Sequence, residues 1–225
     1  RLMIFPRIYI ELEASSSLNL IEHHVGKCDE YFYNGSIIIN VGNNAKLDHV
    51  RIQNNSKTTI NIKNLHIRQE ANSDYSFIQF AFGSKLGRIN LYADLIGEGA
   101  NCALNGLSLS NNTQHLDAHI ITNHQAAHCS SSQNFKSILK DKSSGVFNGR
   151  SIVQASAEKT DSRQSNKNLL LSKEALMKSN PQLEIYTDDV KCSHGSSTGA
   201  LESDALFYIR SRGIDQISAI SLLVG

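Results

Sequence analysis

GSIIINVGNNAKLDHVRIQNNSKTTINIKNL, residues 35–65, contains three short runs of strand-forming residues separated by Asn-rich corners. The runs are GSIIINV (35–41), DHVRIQN (48–54) and TTINIKN (58–64). In the last, Ile60, Ile62 and Leu65 are expected on one face, with Asn61 and Lys63 on the other. Alternation with a period of two marks strands, because successive side chains leave opposite faces of the backbone. The same texture extends outward through RIYIELE (7–13), SFIQFAF (76–82), GRINLYADL (87–95) and GLSLSN (106–111). Short strands at intervals of roughly 8–12 residues point to a sandwich, a barrel or a solenoid. Hairpin architectures rely on Asn-Gly or Asp-Gly turns. Here Asn34-Gly35, Asn105-Gly106 and Asn148-Gly149 are the only such pairs. The remaining junctions, GNNAKLD and IQNNSKTT, are Asn-rich. Asparagine tolerates the left-handed region, so these corners favour the coils of a β-solenoid, although no clean repeat period is visible.

The texture changes after about residue 160. Ser172 is placed to cap a helix over KEALMKS, ended by Asn180-Pro181. PQLEIYTDDVKCSH returns to strand-like alternation. Two helices are expected in SDALFYIRSRGIDQISAISLLVG. Ser203 or Asp204 would cap the first, which holds Leu206, Phe207 and Ile209, has Arg210 and Arg212 in its last turn and ends at Gly213. Asp215 would cap the second, with Ile217, Ile220, Leu222 and Leu223. Three regions result: 1–160, a β-helix core; 161–201, a helix and final strands carrying KCSHG; and 202–225, a helical segment.

The chain has 225 residues, 40% hydrophobic and 19% charged, with 22 basic and 21 acidic side chains. Such a balance gives no electrostatic case for nucleic acid or an anionic membrane surface. No apolar run approaches the roughly 20 residues that cross a bilayer. The opening RLMIFPRIYIELEASS has neither an initiator methionine nor a signal-peptide layout, so the chain is expected to begin mid-protein. Four scattered cysteines, Cys28, Cys102, Cys129 and Cys192, suit a reducing compartment, with the cytoplasm as the default.

Two constellations could carry chemistry. His115, Asp117, His119, His124, His128 and Cys129 crowd one stretch, and the first three would share a strand face. They could form a ligand comb for zinc or iron, or a row of polar side chains that bond their neighbours. Cys192 and His194 would also share a face, about 7 Å apart at Cα. Two ligands do not close a mononuclear site, and a Cys/His catalytic pair needs an orienting third group. Ordinary strand residues are the alternative. Phosphate loops, GxSxG elbows and HExxH helices are missing from the sequence. KTDSRQSNKN (159–168) could serve carbohydrate cleavage on a β-helix, but the chain has no tryptophan platform, and a polar loop explains the segment.

VFNGRSIVQASAEKTDSRQSNKNLLLS (146–172), PQLEIYTDDVKCSHGSSTG (181–199) and DALFYIRSRGI (204–214), in that order, resemble the SufD branch of the SufB/SufD family of iron–sulfur cluster assembly scaffolds. The HxDxH, HxxxH and SxQxxKxIL strings between His115 and Leu139 fit the same family. The HEAT-type and TQC-type strings of SufB-like chains are not present. Phe135, Ser137 and Ala127 stand where the family usually has tyrosine, glycine and proline.

The resemblance implies a right-handed parallel β-helix, mainly β, with a short C-terminal helical segment. It implies a non-catalytic scaffold that pairs with a SufB-like subunit and docks a SufC-like ABC ATPase. The ATPase would bind the segment holding Asp204, Leu206, Phe207, Tyr208, Arg210 and Arg212. His194 would lie at the sister-subunit interface as a transient metal ligand shared with the partner, where a nascent iron–sulfur cluster assembles; Cys192 is added as its neighbour. No stably bound cofactor is expected, and an isolated chain would be prone to pair with itself. A β-helix enzyme acting on carbohydrate polymers is the alternative, followed by a metal-storage protein using the histidine row.

Overall fold

The computed structural model describes residues 2–26 and 30–224. Among the described residues, fifteen strands come first, then two helices. β1 (Leu2–Ile4) and β2 (Arg7–Leu12) both pair with β4 (Tyr31–Val41), which begins a parallel sheet continuing through β6 (Ile60–Gln69), β8 (Leu86–Leu95), β10 (His115–His124), β12 (Ser144–Val153) and β14 (Leu176–Ile185). A second parallel sheet runs through β3 (Ser17–Val25), β5 (Lys46–Asn54), β7 (Asp74–Ala81), β9 (Asn101–Ser110), β11 (Ser130–Leu139), β13 (Asp161–Leu170) and β15 (Lys191–Ala200). From β2 onward, consecutive strands alternate between the two sheets, so each coil adds one rung to both. The result is a parallel β-solenoid of about seven turns, followed by α1 (Ser203–Ser211) and α2 (Gln216–Val224).

The repeat hidden in the sequence lies in the corners. Asn44, Asn72, Gly99, His128 and Lys159 all adopt positive φ, at intervals of 27 to 31 residues. Each backbone N–H in this stack donates to a carbonyl one coil on, as from Asn44 to Ala71, Asn72 to Glu98 and Gly99 to Ala127. Four residue types, one of them lysine, fill these five equivalent places, which is why no period shows. An opposite corner stacks Asn112, Asp141 and Ser172: the Asn112 amide donates to Asp141 Oδ2 at 2.9 Å, and the Asp141 amide to Ser172 Oγ at 2.8 Å.

That bond corrects the expected helix over KEALMKS. Ser172 does cap backbone, but the backbone of the preceding coil, and the chain enters β14 rather than a helix. The pull of a fully formed neighbouring strand overrides local helix propensity. Pro181 then lies inside β14, opposite Gly149, and is tolerated because β14 is an edge strand. KTDSRQSNKN is likewise a strand, β13, and not a loop. The Asn-Gly pairs at 34–35, 105–106 and 148–149 lie within β4, β9 and β12. Gly106 and Gly149 are needed because a Cβ there would collide with the rings of Phe135 and Phe147.

Alternation holds, yet its phase in β6 differs from expectation. Asn61, Lys63, Leu65 and Ile67 point inward and are buried, whereas Ile60 faces out at 37% exposure. The interior near the middle is apolar, with Leu47, Phe77, Leu91, Leu95 and Leu104 fully buried. We expect Leu91→Ala to destabilise the solenoid by about 2–5 kcal/mol through lost burial and a residual cavity, measured by urea unfolding.

Candidate functional site: the open terminal coil

At the C-terminal end, β14 and β15 are the last rungs of their sheets, and no further strand of the described residues covers them. Register places Cys192 beside Ser162 and His194 beside Gln164. Both β13 partners are buried inward-facing residues, so Cys192 and His194 share the inward phase, on a coil with nothing stacked over it. Ser196 and Thr198 continue that face, and Asn168 Nδ2 donates to Thr198 Oγ1 at 3.2 Å. Cys192 is half-buried, and His194 is exposed. Burial pushes the Cys192 thiol up, with Asp161 adding to the effect and a backbone hydrogen bond to Ser162 opposing it. The thiol is therefore held in its protonated, less nucleophilic form, and a metal or cation would have to overcome that cost to bind it as a thiolate.

Beneath this face the interior turns polar. His124 Nε2 lies 2.8 Å from Ser131 Oγ; Ser131, Ser162, Ser151 and Thr122 then form a chain of hydroxyl contacts at 3.0, 2.7 and 3.1 Å. Gln133 donates to Thr122, and Gln164 donates to Gln133. A hydrogen-bonded network thus runs through the solenoid interior to the two residues under Cys192 and His194. Sequence reasoning missed it. The signal was there in SRQSNKN, where Ser162, Gln164, Asn166 and Asn168 occupy alternate positions of one strand face.

The histidine row divides. His115, Asp117 and His119 share the outer face of β10, as expected, and bond to neighbours: His115 Nδ1 lies 2.7 Å from Ser144 Oγ, while Asp117 is held by His119 at 3.0 Å and Arg88 at 3.2 Å. His124 points inward, and His128 turns a corner with φ 59°. Among the described residues, no three His, Cys, Asp or Glu side chains gather as a metal site would require. Cys102 and Cys129 are buried free thiols, and Cys28 lies outside the described residues.

The terminal helices pack on each other, with Ala219 fully buried. Glu202, rather than Ser203 or Asp204, occupies the α1 N-cap position and makes no side-chain cap bond; Asp204 sits in the first turn. The preceding strand leaves the chain extended through Glu202, which sets where the helix starts. Asp215 caps α2 as expected, accepting from the Ile217 and Ser218 amides at 2.9 and 3.1 Å. Gly213 adopts φ 84° beyond α1. Leu206 and Ile209 are half-buried, while Phe207, Tyr208, Ile217 and Leu222 are 60–82% exposed. Arg212 stacks 5.0 Å from the Tyr208 ring centre, and Arg210 is exposed. These helices present an apolar surface bordered by cations.

A two-sheet parallel solenoid with an open final coil and a short helical hairpin defines the class as a parallel β-solenoid protein. Comparison with known families identifies it: residues 1–225 match the SufBD core domain of the SUF system for FeS cluster assembly, and the chain belongs to that family. It is 37% identical over 224 residues to the chloroplastic protein ABCI7 of Arabidopsis thaliana, covering 97% of this chain and 47% of that protein. It is 33% identical over 219 residues to the iron-sulfur cluster assembly protein SufD of Escherichia coli, covering 97% and 52%. The chain thus spans about half the length of these curated relatives.

Two predictions arise from this end of the molecule. Burial holds His124 at about 4, below its ordinary 6.5. Between those values the unfolded chain binds the extra proton, so this contribution is complete above pH 6.5 and is lost as pH falls toward 4. His24, also lowered by burial, shares the direction. His124→Gln should therefore give a shallower loss of stability across that window, read by urea midpoints at successive pH values. Thiol alkylation of the native protein, mapped by peptide mass spectrometry, should label Cys192 and spare Cys102 and Cys129 until urea is added.

Proposed function

We propose that the chain is the core of a non-catalytic scaffold subunit in a Suf-type iron–sulfur cluster assembly complex, pairing through its terminal coil with a related, SufB-like subunit. The observation that carries this reading is the uncovered β15 edge with Cys192 and His194 on its inward face. A parallel strand at a sheet edge presents unpaired N–H and C=O groups, which a strand of another subunit satisfies by main-chain pairing. On that geometry His194 offers one imidazole to iron or sulfide chemistry shared across the interface, with Cys192 as a neighbouring thiol. Two groups do not close a site, and the sister chain supplies the rest. A nascent cluster is cargo there, with no cofactor held permanently by this chain.

Phe207 and Tyr208, with Leu206 beneath and Asp204, Arg210 and Arg212 around them, form the surface proposed to receive a SufC-like ABC ATPase. Exposed aromatic and arginine side chains are the usual anchors of such interfaces. Nucleotide hydrolysis belongs to that partner, in keeping with the missing phosphate loop. Family membership supports this reading over a carbohydrate-active β-helix. Free thiols at Cys102, Cys129 and Cys192 suit a reducing compartment, for which we propose the cytoplasm. No helix among the described residues is long and apolar enough to cross a membrane. Without the sister chain, the same edge would pair two copies.

Co-purification tests the proposal. The complete protein, tagged, should recover both the sister subunit and the ATPase, and a version truncated after Glu202 should lose the ATPase alone. Recovery of neither partner by the complete protein would overturn the scaffold reading. His194→Ala should keep the circular dichroism spectrum and reduce cluster yield in the reconstituted complex; an undiminished yield would remove His194 from the site.

A further inference from the structure

A second polar centre lies inside the early coils, away from the terminal face. Glu22 on β3 accepts hydrogen bonds from His24 Nε2 at 2.9 Å, His49 Nε2 at 2.9 Å and Lys63 Nζ at 2.7 Å. The Tyr75 hydroxyl lies 3.0 Å from His49 Nδ1, so both ring nitrogens of His49 have partners. Burial works against the charge on Glu22, but the three donors outweigh it and hold its carboxyl far below the ordinary range. Glu22 and Lys63 therefore form a neutral pair. Arg51 on β5, 2% exposed, makes no ion pair among the described residues, although the Glu22 charge acts on it from a distance. Its Nη1 donates to the amide oxygen of Gln79 and its Nη2 to that of Asn61, both at 3.1 Å, and its Nε has no hydrogen-bond partner among the described residues.

Arg51 also lines an interior cavity of about 20 Å³, together with Gln53, Asn61, Gln79, Ser108 and Phe135. That volume accommodates one or two water-sized species. Two further charged groups reach its wall, Arg88 and Asp117, and they pair with each other at 3.2 Å, with His119 also on Asp117. With Glu22 matched to Lys63 and Asp117 to Arg88, the guanidinium of Arg51 is left over among the described residues. A buried cation is costly unless a counter-charge accompanies it. Burial itself lowers Arg51, with Glu22 opposing, but arginine stays protonated in proteins.

We propose that this cavity binds one small monovalent inorganic anion, of about chloride size, held against the guanidinium of Arg51. The small volume disfavours sulfate-sized and organic anions; the wall is mixed, with Ile89, Leu116 and Phe147 beside Gln53, Gln79 and Ser108, so the Arg51 guanidinium is the group that selects a partly dehydrated halide. This site is independent of the assembly role proposed above and would stand if that role failed.

Bromide is the probe. Crystals of the protein grown in sodium bromide should show an anomalous peak within contact distance of the Arg51 guanidinium; density for water alone there would overturn the proposal. In solution, the chloride-35 line should broaden saturably with wild-type protein, and bromide, but not sulfate at equal ionic strength, should reverse the broadening. Gln79→Glu places a carboxylate against Arg51 and should abolish the effect while preserving the circular dichroism spectrum. Arg163→Gln, at an exposed arginine paired with Asp161, should leave it unchanged. Saturable broadening that survives Gln79→Glu would place the anion elsewhere and sink the assignment.

Discussion

A parallel strand cannot satisfy its own backbone. Each rung of this solenoid donates and accepts in the coil before and the coil after, so the coil geometry is repeated at every step and the inward side chains stack in register. The corners enforce the repeat by sending a left-handed residue's amide to the next coil's carbonyl, whether that residue is Asn44, Gly99 or His128. The same dependence means that the last coil is left half satisfied. Where β15 ends the ladder, the backbone edge and the residues Cys192 and His194 remain available, and the construction of the fold itself generates the candidate site.

The interior divides the work along the solenoid axis. Its centre buries Leu47, Phe77 and Leu91, where apolar burial, about 25 cal/mol for each Å² removed from water, stabilises stacking. Toward the C-terminal end, hydroxyls and amides replace that filling, and the hydroxyls of Thr122, Ser131, Ser151 and Ser162 are matched through short contacts, while His124 Nδ1, Gln164 Oε1 and Asn168 Oδ1 are left without a partner among the described residues. A matched polar interior fixes register more tightly than an apolar one, because a slip leaves buried donors without acceptors. The face carrying Cys192 and His194 consequently rests on a specifically ordered floor.

Much of the fold was legible in the sequence, and the failures have physical causes. Period-two alternation in TTINIKN correctly marks β6, but hydrophobicity assigns its faces badly, since Lys63 turns inward to meet Glu22, 41 residues earlier. Nothing local to either residue announces that pair. Ser172 carries a helix-capping signal that a neighbouring coil captures, and the Asn-Gly pairs at 105 and 148 read as turns while serving to admit phenylalanine rings. Asp215 shows the opposite case: its cap depends only on residues two and three positions on, and the sequence is sufficient. Cys192 and His194 were identifiable as a pair on one strand face, but not as the end of a solenoid; that required the register with Ser162 and Gln164.

The proposed pairing makes the terminal coil the surface that meets a related subunit. A photo-crosslinking residue placed at Ser196, on the inward face of β15, tests this directly in the complex assembled from complete subunits. The matched control is the same group at Tyr92, on the outer face of β8 and 47% exposed. The account predicts crosslinks to the sister subunit from position 196 and none from position 92. Sister-subunit crosslinks from position 92 alone would contradict it, and would move the interface from the open end to the flank of the solenoid.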